Sequence, residues 1–73
     1  MYTAEMLIDD MVEVRKSQGL TQQDLADIVG LHRPNICRIE SNGKVKIIPK
    51  LDTLLKVLDG LGHTLKIVPI EEH

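Results

Sequence analysis

Leu20-Thr21-Gln22-Gln23-Asp24-Leu25-Ala26-Asp27-Ile28-Val29-Gly30-Leu31-His32-Arg33-Pro34-Asn35-Ile36-Cys37-Arg38-Ile39-Glu40 is the stretch on which the fold turns. It holds two short helical patterns hinged at one glycine. Thr21 opens the first as an N-cap, and Asp24 three residues on completes a capping-box-like pair with a shorter acid than usual. Leu25, Ile28 and Val29 are expected to face inward, and Ala26 is small where two helices can cross closely. Gly30 ends this helix after barely two turns. The next begins at Leu31 or His32, with Pro34 tolerated because it falls in the first turn. Ile36 and Ile39, three apart, form its buried side, while its polar side carries arginines. Ser41-Asn42-Gly43 breaks it with strong turn chemistry.

Working outward, a first helix is predicted from Thr3 or Ala4 to about Gln18. Leu7, Met11 and Val14 lie on one stripe, with Ile8, Val12 and Arg15 beside it. Gly19 stands at a natural C-cap position. Beyond the central stretch, Val45 to Ile48 reads as a loop or extended segment. Pro49 introduces a fourth helix whose apolar face is Leu51, Leu54, Leu55, Leu58 and Leu61, with Gly60 and Gly62 bracketing its end. His63 to Val68 alternates, placing Leu65 and Ile67 on one face and Thr64, Lys66 and Val68 on the other, before Pro69 stops it. The expectation is a mainly α, compact bundle of four to five helices over residues 1–62, with a short C-terminal β-strand at 63–69, all in one domain spanning 1–73.

A chain of 73 residues sits near the lower limit for burying its own core. Phe and Trp are absent and Tyr2 is the sole aromatic, so the core must be aliphatic. Such a core supplies only about 3–5 kcal/mol, and chains of this size often gain stability by dimerising. The one cysteine, Cys37, excludes an intramolecular disulfide and fits a reducing cytosol. There is no signal-peptide pattern, and no apolar run approaches the ~20 residues of a membrane span. A cytoplasmic protein with no membrane partner is expected.

Net charge is −2, but its distribution is uneven. From Met1 to Asp27, Arg15 and Lys16 face Glu5, Asp9, Asp10, Glu13, Asp24 and Asp27. From Ile28 to Leu51, Arg33, Arg38, Lys44, Lys46 and Lys50 face Glu40 alone. From Asp52 onward, Lys56 and Lys66 face Asp52, Asp59, Glu71 and Glu72. DNA responds to the local field rather than to the sum. The positive block coincides with the second helix of the central stretch and the loop after it. A solvated basic loop of no consequence is the alternative.

A glycine-hinged helix pair whose second member carries arginines on its polar side reads as a helix-turn-helix that puts that helix into a DNA groove. The strand-like tail raises a separate problem, because its backbone donors and acceptors need partners. The same strand of a second subunit, antiparallel across a two-fold axis, is the simplest remedy. A disordered tail, or an extended segment packed on the fourth helix, is the other reading.

Thr21-Gln22-Gln23-Asp24-Leu25-Ala26, Gly30, Ile36-Cys37-Arg38-Ile39-Glu40 and Gly43 together resemble the phage-repressor (Cro/Xre-like) helix-turn-helix family. The resemblance continues through Pro49 and Leu51-Asp52-Thr53-Leu54-Leu55-Lys56-Val57-Leu58 to Leu61-Gly62, and so covers roughly Leu7 to Gly62. It implies that Gln22 bonds a DNA phosphate at a helix N-terminus, where anions are favoured. His32, Arg33, Pro34, Cys37 and Arg38 are the implied base-contacting residues. Each arginine can fork onto O6 and N7 of a guanine, and Pro34 offers only apolar contact, for example to a thymine methyl. Asn35 reaches a base or a phosphate. Ser41, Asn42, Gly43 and Lys44 sit where the family's loop touches the backbone, with Lys46 and Lys50 as further phosphate partners. Arg15 and Glu40 are placed like the family's structural ion pair.

The sequence also departs from the family. Ser or Gln is common at the positions of Arg33 and Pro34, so base preference cannot be borrowed. Asn42 looks like one extra residue before Gly43, and Lys50 stands where a Ser or Thr N-cap is common.

Cys37 near Arg38 reads either as a redox-sensitive thiolate or as a small residue at the DNA face. His32, His63 and His73 are too widely spread for metal-ligand spacing, and neither a nucleophile–base constellation nor a Gly-rich phosphate loop is present. No enzyme activity, metal or cofactor is expected. The 73 residues hold no second domain for sensing a ligand. The ending Leu61-Gly62-His63-Thr64-Leu65-Lys66-Ile67-Val68 is similar to that of small bacterial antitoxins of the HigA and HipB kinds. This resemblance implies a homodimer on a palindromic operator, repressing its own operon and holding a cognate toxin. The acidic first helix, with Tyr2 and Met6, is then a surface for a basic toxin, unless Met1 to Met6 is only a frayed start. A stand-alone transcriptional regulator and a protein-interaction module without DNA binding are the alternatives.

Overall fold

A computed structural model describes residues 1–41 and 49–70. Within them stand four helices, α1 (Ala4–Ser17), α2 (Gln22–Val29), α3 (Arg33–Glu40) and α4 (Leu51–Gly60). Each early boundary has a local cause. The Thr3 hydroxyl accepts the Met6 N–H at 3.1 Å and starts α1. At its end Gly19 takes the left-handed conformation, φ +73°, so that its N–H reaches Lys16 O and the Leu20 N–H turns back to Arg15 O. That reversal leaves the Leu20 carbonyl beside the Arg15 side chain, which matters below.

Both bonds of a capping box start α2: the Asp24 N–H donates to the Thr21 hydroxyl at 3.0 Å, and the Thr21 N–H donates to Asp24 Oδ2 at 2.9 Å. The Thr21 N–H at the carboxylate, with the Thr21 side chain beside it, holds the Asp24 carboxyl below the usual carboxylate range. Gly30, also at φ +73°, closes the helix, and the Leu31 N–H returns to Ala26 O. The sequence-predicted edges of α1 and α2 therefore agree with the structure to about a residue. For α3 the start falls at Arg33, with His32 as an N-cap that makes no side-chain bond. Pro34 sits in its first turn, where a missing N–H costs nothing.

Ile8, Met11, Leu25, Ala26, Val29, Ile36, Ile39, Leu54, Val57, Leu58 and Leu61 form the core, with Leu7, Val14, Leu20 and Leu31 packed around it. α2 lies between α3 and α4, and α1 packs on α3. Three expected core positions are corrected. Ile28 is 53% exposed, because Leu25, Ala26 and Val29 define the buried stripe of α2 and leave Ile28 at its edge. Leu51 and Leu55 are exposed while Val57 is fully buried, so the stripe of α4 runs Leu54, Val57, Leu58 and Leu61. That i, i+3, i+4, i+7 pattern is the one an amphipathic helix buries.

Among the described residues there is no strand. Thr64, Leu65, Lys66, Ile67 and Val68 are exposed and unpaired, since a strand exists only beside a hydrogen-bonded neighbour and a single chain supplies none here. Asn42, Gly43, Lys44 and Lys46 lie outside the described residues, as does the Val45–Ile48 segment. No described helix is long and apolar enough to cross a membrane.

Gly60 fixes how closely α4 approaches α2. A Cβ there would run into the Val29 Cγ1 methyl and press on Ile28. Val29 is buried and branched, so it cannot swing aside. Alanine at a helix position ordinarily gains up to about 1 kcal/mol over glycine. Overpacking costs about 1–3 kcal/mol and should win. Gly60→Ala is therefore expected to lower stability by about 1 kcal/mol, read as a reduced urea midpoint; an increased midpoint would contradict the close approach.

Candidate nucleic-acid interface

The outward face of α3 is set by its buried one. With Ile36 and Ile39 in the core, helical geometry puts Pro34, Cys37 and Arg38 on the opposite side and Arg33 on the flank it shares with Glu40. His32, Arg33, Pro34, Cys37 and Arg38 are all exposed. Neither the Arg33 nor the Arg38 guanidinium has an acidic partner among the described residues. Asn35 is half-buried at the edge, and its N–H closes onto His32 O at 2.9 Å. Lys50 is exposed at the head of α4, where it caps the helix without a side-chain bond.

Beneath this surface lies a buried polar cluster. The Arg15 guanidinium donates from Nε to Glu40 Oε2 at 2.7 Å and from Nη2 to Glu40 Oε1 at 2.9 Å, a two-point fork. Its Nη1 donates to the Leu20 carbonyl at 2.6 Å. Only 8% of each charged side chain is exposed. Gln22 adds a fourth bond, its Nε2 donating to Glu40 Oε1 at 3.0 Å. Among the described residues no buried side-chain polar atom is left without a partner.

Arg15, Gln22 and Glu40 also line a shallow cleft with Val12, Lys16, Cys37 and Ser41. Ser41 does not present a free hydroxyl donor there, because its Oγ already donates to Cys37 O at 2.7 Å. A phosphate bonded through that hydroxyl would have to displace the bond or use the oxygen's other, accepting, capacity, which an anion does not want. Lys16 is the cation that sequence reasoning passed over. It is exposed, lines the same cleft as Gln22 and follows directly on the buried Arg15. Its position after Arg15, on the exposed side of a helix whose next residue inward is buried, was the available signal. Cys37 is a free, exposed thiol.

At the far end of α1, Tyr2 and Met6 are exposed. The Tyr2 hydroxyl donates to Asp10 Oδ2, and this bond to a carboxylate pushes the phenol up to about 12. The opening residues are thus tied to α1.

Comparison with known proteins gives matches of three kinds: a family model, a named relative and a solved structure. A helix-turn-helix family model matches residues 11–66. A Haemophilus influenzae protein named as an uncharacterized HTH-type transcriptional regulator is 42% identical over 64 residues, which is 88% of this chain and 62% of that protein. This chain therefore spans less than two thirds of that relative. A solved structure of a toxin–antitoxin module from Streptococcus pneumoniae contains a chain 41% identical, with a TM-score of 0.70 over 88% of this chain and 67% of that one.

Removing one member of the buried pair strands the other without compensation, which costs about 3–5 kcal/mol. A domain of this size holds only about 4–11 kcal/mol in all. Glu40→Ala should accordingly leave the chain largely unfolded or barely folded by circular dichroism and urea titration. A loss below about 1 kcal/mol would mean that the fork contributes little in solution.

Proposed function

The chain belongs to the helix-turn-helix family, and from that premise we propose that it is a sequence-specific DNA-binding repressor, acting as the antitoxin and autorepressor of a toxin–antitoxin operon. The observation that carries DNA binding is the outward face of α3, where two unpaired guanidiniums flank Pro34 and Cys37. Arg33 and Arg38 each fork onto a guanine edge in the major groove, with His32, Pro34 and Cys37 filling the contact between and around them. Gln22, Asn35 and Ser41, the last by giving up its bond to Cys37 O, together with Asn42, Gly43, Lys44 and Lys46 in the following segment, meet the phosphates and set the register. Lys16 joins them from α1.

One such unit holds one half-site. A homodimer on a palindromic operator, with half-sites about one helical turn, ~34 Å, apart, supplies the second. The exposed segment Thr64 to Val68 supports that assembly, since antiparallel pairing with its counterpart would satisfy its backbone. The antitoxin reading is supported by the 41% identity to a chain of the Streptococcus pneumoniae module, and by the HigA- and HipB-like ending. A stand-alone transcriptional regulator is the second reading, favoured by the name of the Haemophilus influenzae relative. Co-purification separates the two: the product of the neighbouring gene, a small basic RNase-like or kinase-like protein, should come down with this one if the antitoxin reading holds.

Operator affinity should fall steeply with salt as phosphate counterions are released. Arg38→Ala should cost about 1–3 kcal/mol of binding and relax selectivity at one base pair. If Arg33→Ala combined with Arg38→Ala leaves operator affinity unchanged, the assigned face of α3 is wrong. Truncation after Gly62 should convert a dimer to a monomer by light scattering, while a truncated chain that remains dimeric would rule out the strand.

A further inference from the structure

Resting on the DNA-binding reading above, we infer that Glu40 is a positioning residue for phosphate recognition, holding the Gln22 amide in its binding orientation, as well as being the partner of Arg15. Glu40 Oε1 accepts from both Arg15 Nη2 at 2.9 Å and Gln22 Nε2 at 3.0 Å, while Oε2 is taken by Arg15 Nε at 2.7 Å. Arg15 itself is anchored on the Leu20 carbonyl at 2.6 Å. The carboxylate therefore cannot rotate without breaking the fork, and the amide bonded to it inherits that fixity.

A glutamine amide can present either its oxygen or its nitrogen, and only the nitrogen is useful to a phosphate. Its nitrogen carries two hydrogens. The Glu40 bond uses one and settles which end of the amide is which, leaving the second N–H for an anion in the cleft shared with Lys16. A free glutamine side chain would surrender its rotamer freedom on binding. Here that ordering has already happened in the folded protein.

A purely structural ion pair makes a different prediction from a positioning one. Replacing both charges by apolar residues of similar volume often leaves a fold intact. In the full chain, Arg15→Met with Glu40→Met removes the acceptor for Gln22 without stranding a charge. The probe is a duplex carrying the wild-type operator, with folded fraction checked by circular dichroism at the assay temperature. The expected result is a loss of affinity of about tenfold, the size of a bond to a charged group. In a Gln22→Ala background the same double change should cost clearly less, only what loosening α3 costs by itself. Equal losses in both backgrounds, or no loss in either, would overturn the positioning role while leaving salt-dependent operator binding by the wild type in place. Wild-type protein that binds no duplex at any salt would overturn the DNA-binding reading and this inference with it.

A second measurement needs no variant. Side-chain ¹⁵N relaxation of Gln22 in the DNA-free protein should show an ordered amide. An order parameter below about 0.6, in the flexible range, would overturn the inference even if the Met pair fails to fold.

Discussion

The fork between Arg15 and Glu40 is the interaction on which the arrangement of helices depends. Arg15 comes from the last turn of α1 and Glu40 from the last residue of α3, 25 positions apart. The same guanidinium holds the carbonyl of Leu20, in the connection to α2, and the same carboxylate holds Gln22 at the start of α2. Three helices are thereby indexed on one pair of charges. The energy of folding does not come from here, because desolvating two charges consumes most of what their attraction returns. It comes from an aliphatic core that Leu, Ile, Val and Met fill without any aromatic. That core alone could tolerate some sliding of α3 along its neighbours. A fork with two donors and two acceptors at 2.7 and 2.9 Å cannot.

Fixing α3 in this way also decides what it shows to solvent. Ile36 and Ile39 bury one side, so Pro34, Cys37 and Arg38 are on the other, with Arg33 on the flank and His32 exposed at the N-cap. α3, like α4, starts without a side-chain cap. Thr3 and Thr21 cap α1 and α2 through their hydroxyls, whereas His32 makes no such bond. Pro34 offsets this by pre-setting its backbone and by removing a donor that would otherwise need a partner. A short helix exposed along most of its polar side can then be held mainly by what it buries and by Glu40 at its far end.

The features legible in the sequence were those that act between near neighbours in the chain. Thr21 with Asp24, Gly30 and Pro34 each work over three or four residues, and each sits where its local chemistry puts it. The rotation of a helical stripe is a different kind of fact, because it is set by what lies opposite. Ile28, Leu51 and Leu55 looked as apolar as Val57, yet only Val57 is buried, and no local property distinguishes them. The bond from Gln22 to Glu40 spans 18 residues and depends on α2 and α3 being docked, so residue type suggested a phosphate ligand and nothing more. For Ser41 the reverse holds: its hydroxyl is already committed to Cys37 O, a local bond that the loop-contact expectation overlooked. Alternation in Thr64 to Val68 was visible, but alternation alone cannot supply the neighbour that makes a strand.

The charge pattern gains a sharper meaning from the same geometry. A chain of net charge −2 looks like a poor partner for DNA until the charges are sorted by what they face. Arg15 is a cation that solvent barely meets, and Glu40, the sole acid of the stretch from Ile28 to Leu51, is turned inward to neutralise it. Subtracting that pair removes the only negative charge from the block that carries α3. Among the described residues, what remains exposed there is Arg33 and Arg38, with Lys16 beside the cleft and Lys50 at the head of α4. The ion pair thus has an electrostatic consequence apart from its structural one. By consuming an acid that would otherwise face an incoming phosphate, it leaves only cations among the described unpaired charges of that block, and charges within the Debye length, about 8–10 Å, count most.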